Sequence, residues 1–151
     1  MTKKKKEISI WHWKKILFVC CITFVATFLQ LLWALKDFTG SVSSADASTS
    51  LPERILSLSL LTLLFVGIFF LRGRLWNSPF DIPIFTGLLV LCWFYWDYQM
   101  FVDYEASWST YSRSEILFYT LQLSFLPILV IGLSFYFALR WFLYHFFVDK
   151  K

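Results

Sequence analysis

The sequence predicts an all-α integral membrane protein, a transmembrane four-helix bundle with both termini on the cytoplasmic side. Three observations carry that expectation. Four apolar runs are spaced along the 151 residues, three of them begin at helix-capping signatures, and basic residues crowd onto one side of the implied membrane. Composition agrees: 58% of residues are hydrophobic and 16% charged, against roughly 25% charged in ordinary soluble domains. Spans of about 20 residues each occupy most of the chain. What remains is divided among short connections, so residues 1–151 are expected to form a single membrane domain.

The chain opens with Lys3, Lys4, Lys5 and Lys6, then Trp11, His12, Trp13, Lys14 and Lys15. Ammonium groups interleaved with indoles suit a cytoplasmic lipid interface, where the lysines meet anionic headgroups. The net charge of +4 is therefore assigned to the membrane surface, and no nucleic-acid partner is expected. The first span is Ile16 to Leu35. A basic start with an apolar core also describes a secretory signal, and Ala45-Asp46-Ala47 has the small-x-small form of a cleavage site. The core of about 20 residues exceeds the roughly 7–15 of a signal peptide, so an uncleaved anchor is expected.

Residues 36–50 are rich in Ser, Thr, Ala and Gly and show no hydrophobic period. Ser50-Leu51-Pro52-Glu53 then has the form of a capping box with proline in the first turn. The second span follows, about Ile55 to Leu71, and Arg72-Gly73-Arg74 ends it. Ser78-Pro79-Phe80-Asp81 supplies another start signature before a third span, about 82–102. Ser112-Arg113-Ser114-Glu115 repeats the S-x-x-E pattern before the fourth, Ile116 to Leu139. That run of 24 residues holds no Asp, Glu, Lys, Arg or His. A helix of that length reaches roughly 36 Å, enough to cross a ~30 Å hydrocarbon core.

Orientation follows from the basic residues. With the N-terminus inside, Lys3, Lys4, Lys5, Lys6, Lys14, Lys15, Arg72, Arg74, Arg140, Lys150 and Lys151 are cytoplasmic, and only Lys36, Arg54 and Arg113 lie opposite. Eleven against three is a strong positive-inside bias.

Helices in lipid associate through small side chains and interhelical hydrogen bonds, because lipid tails are as apolar as leucine. In the first span Cys20, Thr23, Thr27, Gln30 and Ala34 share a face, and in the fourth Thr120, Ser124, Pro127, Ile131, Ser134 and Ala138 do. These stripes are the expected seams. Counting from each helix start places Gln30, Asp97, Gln99 and Gln122 in the outer third of the membrane, with Arg113 and Glu115 bordering that level. Two readings stay open for this layer. Asp97 either sits at the interface where the third helix surfaces, with the glutamines bonding neighbouring helices, or belongs to an outward recognition layer, paired with Arg113 or Arg54. The aromatics Tyr98, Phe101, Tyr104, Trp108 and Tyr111 at the same level fit an interfacial belt or a protein-binding surface.

Chemistry-bearing motifs are missing from the sequence. Cys20, Cys21 and Cys92 include no C-x-x-C pair, and His12 and His145 have no metal-ligand companion at usable spacing. No enzyme activity, cofactor or metal is expected.

The architecture, together with Ser112-Arg113-Ser114-Glu115-Ile116-Leu117-Phe118-Tyr119 and the basic turn Leu71-Arg72-Gly73-Arg74-Leu75-Trp76-Asn77, resembles the immunity proteins of pore-forming colicins of the A/N type. The aromatic excess departs from that family. The resemblance implies a bacterial inner-membrane protein that meets the toxin's hydrophobic hairpin within the bilayer and prevents channel opening. An accessory subunit of a larger membrane complex is the alternative expectation. A small transporter or intramembrane enzyme using Asp97 and Glu115 is the third.

Overall fold

The computed structural model describes residues 2–37, 50–71, 80–104 and 111–147. They form four helices: α1 (Thr2–Ala34), α2 (Leu51–Leu71), α3 (Asp81–Tyr104) and α4 (Arg113–Phe147). There is no strand among the described residues. α1, α2 and α4 are long and apolar enough to cross a membrane. α3, at 24 residues, is also long, but Asp81, Asp97, Asp103 and Gln99 make it more polar.

The capping signatures place two helix starts as expected. The Ser50 backbone N–H donates to the Glu53 carboxylate at 2.9 Å, closing half of a capping box at α2. At α4 the box is complete: the Ser112 N–H and hydroxyl donate to Glu115 at 2.7 and 2.8 Å, and the Glu115 N–H returns to Ser112 Oγ at 3.4 Å. α3 differs. It begins at Asp81, and Ser78 and Pro79 lie outside the described residues. The proline of its first turn is Pro83, where the missing N–H leaves no helix bond unmade. α1 and α4 both overrun the expected spans. α1 carries helix through the lysine-rich start, and α4 passes Arg140 to Phe147.

Successive helices run antiparallel. The C-terminal ends of α1 and α3 and the N-terminal ends of α2 and α4 share one end of the bundle, here called upper. α1 is the hub, packing on α2, α4 and α3, while α3 and α4 pack extensively on each other. The lower half holds one apolar core built from all four helices, including Val19, Val66, Phe85, Leu89, Phe135 and Leu139. Phe18 of α1 stacks on Phe142 of α4 with ring centroids 3.4 Å apart. The upper core, Leu31, Ala34, Leu35, Ile55, Met100 and Tyr104, contains nothing from α4.

The α1 seam is as expected: Thr23, Thr27, Gln30 and Ala34 are buried, with Cys20 half-buried. The α4 seam holds only as far as Pro127. Below it the buried positions are Gly132, Phe135, Leu139 and Leu143, and Ser134 is exposed. Bulky apolar groups fill the lower core, so the neighbouring face of the helix turns inward there. α2 adds a seam of its own, Ile55, Ser59, Thr62 and Val66. The Ser59 and Thr62 hydroxyls donate to the carbonyls of Ile55 and Leu58, each at 2.8 Å. With their donors used inside the helix, these short side chains can face a neighbour at little polar cost.

Much of the apolar surface points outward, including Leu64, Ile68, Leu91, Phe118 and Phe137. A water-exposed domain rarely shows apolar surface on this scale, whereas lipid covers it without penalty.

Candidate interaction site

Between the two cores lies a polar layer. Gln30 is 0% exposed and Asp97 2%. Gln30 Nε2 donates to Asp97 Oδ2 at 2.6 Å, tying α1 to α3. The buried Ser124 of α4 places its hydroxyl against the same carboxyl. One turn lower, Trp93 Nε1 donates to Thr27 Oγ1 at 2.9 Å, a second α1–α3 bond. The layer forms because α1, α3 and α4 each put a short or amide side chain at the same height on the inner face.

The structure answers part of each reading of Asp97. The carboxyl is buried rather than exposed, and Gln30 bonds it across helices as the first reading expects of the glutamines. The second reading's arginine is not there: Asp97 pairs with neither Arg54 nor Arg113. Arg54 of α2 forms its ion pair with Asp103 of α3, two turns nearer the upper end. Asp103 is partly exposed, so both charges keep access to water, whereas an arginine beside Asp97 would have been drawn into the apolar interior. Arg113 is exposed at the first residue of α4, and Glu115 is exposed and held by Ser112.

The remaining candidates separate. Gln99 is half-buried on α3, and Gln122 is exposed on α4. Trp108 lies outside the described residues. Tyr111 packs against Phe101 and Tyr119 with ring centroids 5.9 and 5.4 Å away, and Phe101 and Tyr119 are 6.3 Å apart. Phe118, 64% exposed, extends this cluster outward by its contact with Tyr119. The upper half of α4 therefore presents Phe118, Leu121, Gln122, Phe125 and Leu126 on its outer side while burying Thr120, Ser124 and Pro127.

Trp93 and Thr27 were not paired from the sequence, although an indole N–H within an apolar run needs an acceptor and Thr27 stands on the predicted α1 seam. Among the described residues no group of His, Cys, Asp and Glu is placed to hold a metal ion. Compared with protein-family models, curated proteins and solved structures, the chain matches none.

Proposed function

We propose that this chain is a multi-pass protein of a bacterial inner membrane, with four crossings and cytoplasmic termini, that binds another membrane-inserted protein along the upper half of α4. Two features support the layout: the eleven-to-three distribution of basic residues, and the packing of α3 between α1 and α4. A helix packed against two spanning neighbours is carried across with them, and its Asp97 is buried on the side they cover.

Gln122 carries the binding reading. It lies about six residues into the apolar run, roughly 9 Å below its start, and its carboxamide faces outward among Phe118, Leu121 and Phe125. In hydrocarbon such a group gains from a partner helix that can bond it, by about 1–2 kcal/mol in peptides. The apolar groups around it supply packing surface. A pore-forming toxin's hydrophobic hairpin, entering from the outer side, meets this face first, and the chain then acts as an immunity protein. A subunit of a larger membrane complex would use the same face for a permanent partner.

The test is protection. Sensitive cells expressing the chain are challenged with a panel of pore-forming bacteriocins. Survival against one of them, lost in Gln122→Leu at equal protein level, is the expected result. Protection against none sinks the immunity role. A photo-crosslinker at position 122 that yields only lipid adducts, with and without toxin, sinks the binding reading altogether. Reporters fused at position 46 or 105 must read as external, or the layout is wrong.

A further inference from the structure

The side of α4 that points straight away from the bundle carries more than Gln122. Turning about 100° per residue, the helix sets the exposed Glu115, Phe118 and Gln122 within roughly 40° of one another. They lie opposite the buried Thr120, Ser124 and Pro127. Glu115 stands two turns above Gln122, about 10 Å along the axis.

Its carboxylate is presented without a cation from its own chain. The two hydrogen bonds it accepts from Ser112 both fall on Oε2. The upper end has three basic residues, Lys36, Arg54 and Arg113. Arg54 is engaged by Asp103. Arg113 is about 200° round the helix from Glu115. Lys36 follows α1, on which α4 packs its other side. A negative group and an amide therefore share one outward face, with an aromatic ring between them.

Resting on the binding reading above, we propose that the partner is a membrane-inserted helix of defined pattern. It carries a cationic side chain at the outer surface and an amide or hydroxyl two turns deeper. Helix axes packed roughly 8–10 Å apart bring one residue of the partner's contact face to each group. Gln122 offers two donors and an acceptor, which Asn, Gln, Ser or Thr can meet. Glu115 loses water beneath a partner; lysine or arginine offsets that loss, whereas a carboxylate is repelled. Helices inserted from the cytoplasm carry few lysines and arginines on the outer side. The same carboxylate thus selects against most resident helices. It also selects against a second copy of this chain, because a two-fold axis along the membrane normal sets Glu115 against its own counterpart.

The test uses the full chain in nanodiscs of phosphatidylethanolamine and phosphatidylglycerol, with a photo-crosslinker at position 118, between the two polar groups. The probes are synthetic leucine-rich helical peptides carrying Lys and, seven residues deeper, Asn, beside twins with Glu in place of Lys. Crosslinking titrations should favour the lysine peptide about two- to fivefold, the scale of an exposed ion pair. Glu115→Gln, which keeps an S-x-x-Q capping box, should abolish that preference, and Glu115→Lys should reverse it. Equal titration of the two peptides by the wild-type chain, or a preference that survives Glu115→Gln, overturns the cationic partner and leaves the binding face standing. Lipid adducts alone with every peptide also overturn it, and the binding reading then stands or falls on the toxin adducts at position 122. Adducts of two chains, formed without peptide, overturn the proposal in favour of a second copy.

Discussion

The lower and upper halves of the bundle are held by different means. Below, all four helices share one apolar core, and rings such as Phe85, Trp93 and Phe135 interlock at centroid distances of 6.1 and 6.4 Å. Above, α4 leaves the core and buries Thr120, Ser124 and Pro127, with the Tyr119 ring against Phe101. In lipid, dense packing is what holds helices together, while a single interhelical hydrogen bond adds little. The lower half is thus the scaffold. The upper half is the part free to exchange α4's outer neighbours, and the groups singled out for recognition lie there.

Substitutions can break or sharpen that contrast. Phe135→Ala should have the largest effect, about 3 kcal/mol lost from bundle stability, read from unfolding in mixed SDS micelles. A loss no greater than that of the upper-half variants would erase the distinction. Gln30→Leu should cost about 1–2 kcal/mol, the scale of one interhelical bond, in the same assay. Ser112→Ala removes the hydroxyl arm of the α4 capping box and should cost about 1 kcal/mol. Ser50→Ala should cost less, because at α2 the bond to Glu53 comes from the backbone. Hydrogen exchange at the first turn of each helix reads this difference directly. Gly132→Ala should change stability by less than about 0.5 kcal/mol. A Cβ there would lie 3.5 Å from Val90 and 3.8 Å from Trp93, ordinary contact with no overlap. A large loss would mean the α3–α4 seam is tighter than its geometry.

The apolar runs and S-x-x-E boxes were legible because each is a local pattern, and α2 and α4 start where those boxes say. The α1 seam was legible for the same reason: Thr23, Thr27 and Gln30 are small or polar on a helix with few such residues. Three things were not. The lower α4 seam is set by volume, and Phe135 and Leu139 look identical in sequence to the lipid-facing Leu133 and Phe137. The glutamines were expected to bond neighbouring helices, but charge pointed Asp97 to an arginine, whereas burial favours the neutral amide of Gln30 at the same height. The α2 seam, Ile55-Ser59-Thr62-Val66, was overlooked although it shows the 4, 3, 4 spacing of a helix face. Charge rules work at membrane surfaces; inside, hydrogen-bond completeness and side-chain volume take over.

The overrun of α4 has a mechanical consequence. Thirty-five residues make a rod of roughly 52 Å, well beyond a ~30 Å hydrocarbon layer. With Leu139 and Leu143 in the lower core and Phe142 stacked on Phe18, the overrun is a root set against α1, and the rod is anchored at its lower end like a post in its socket.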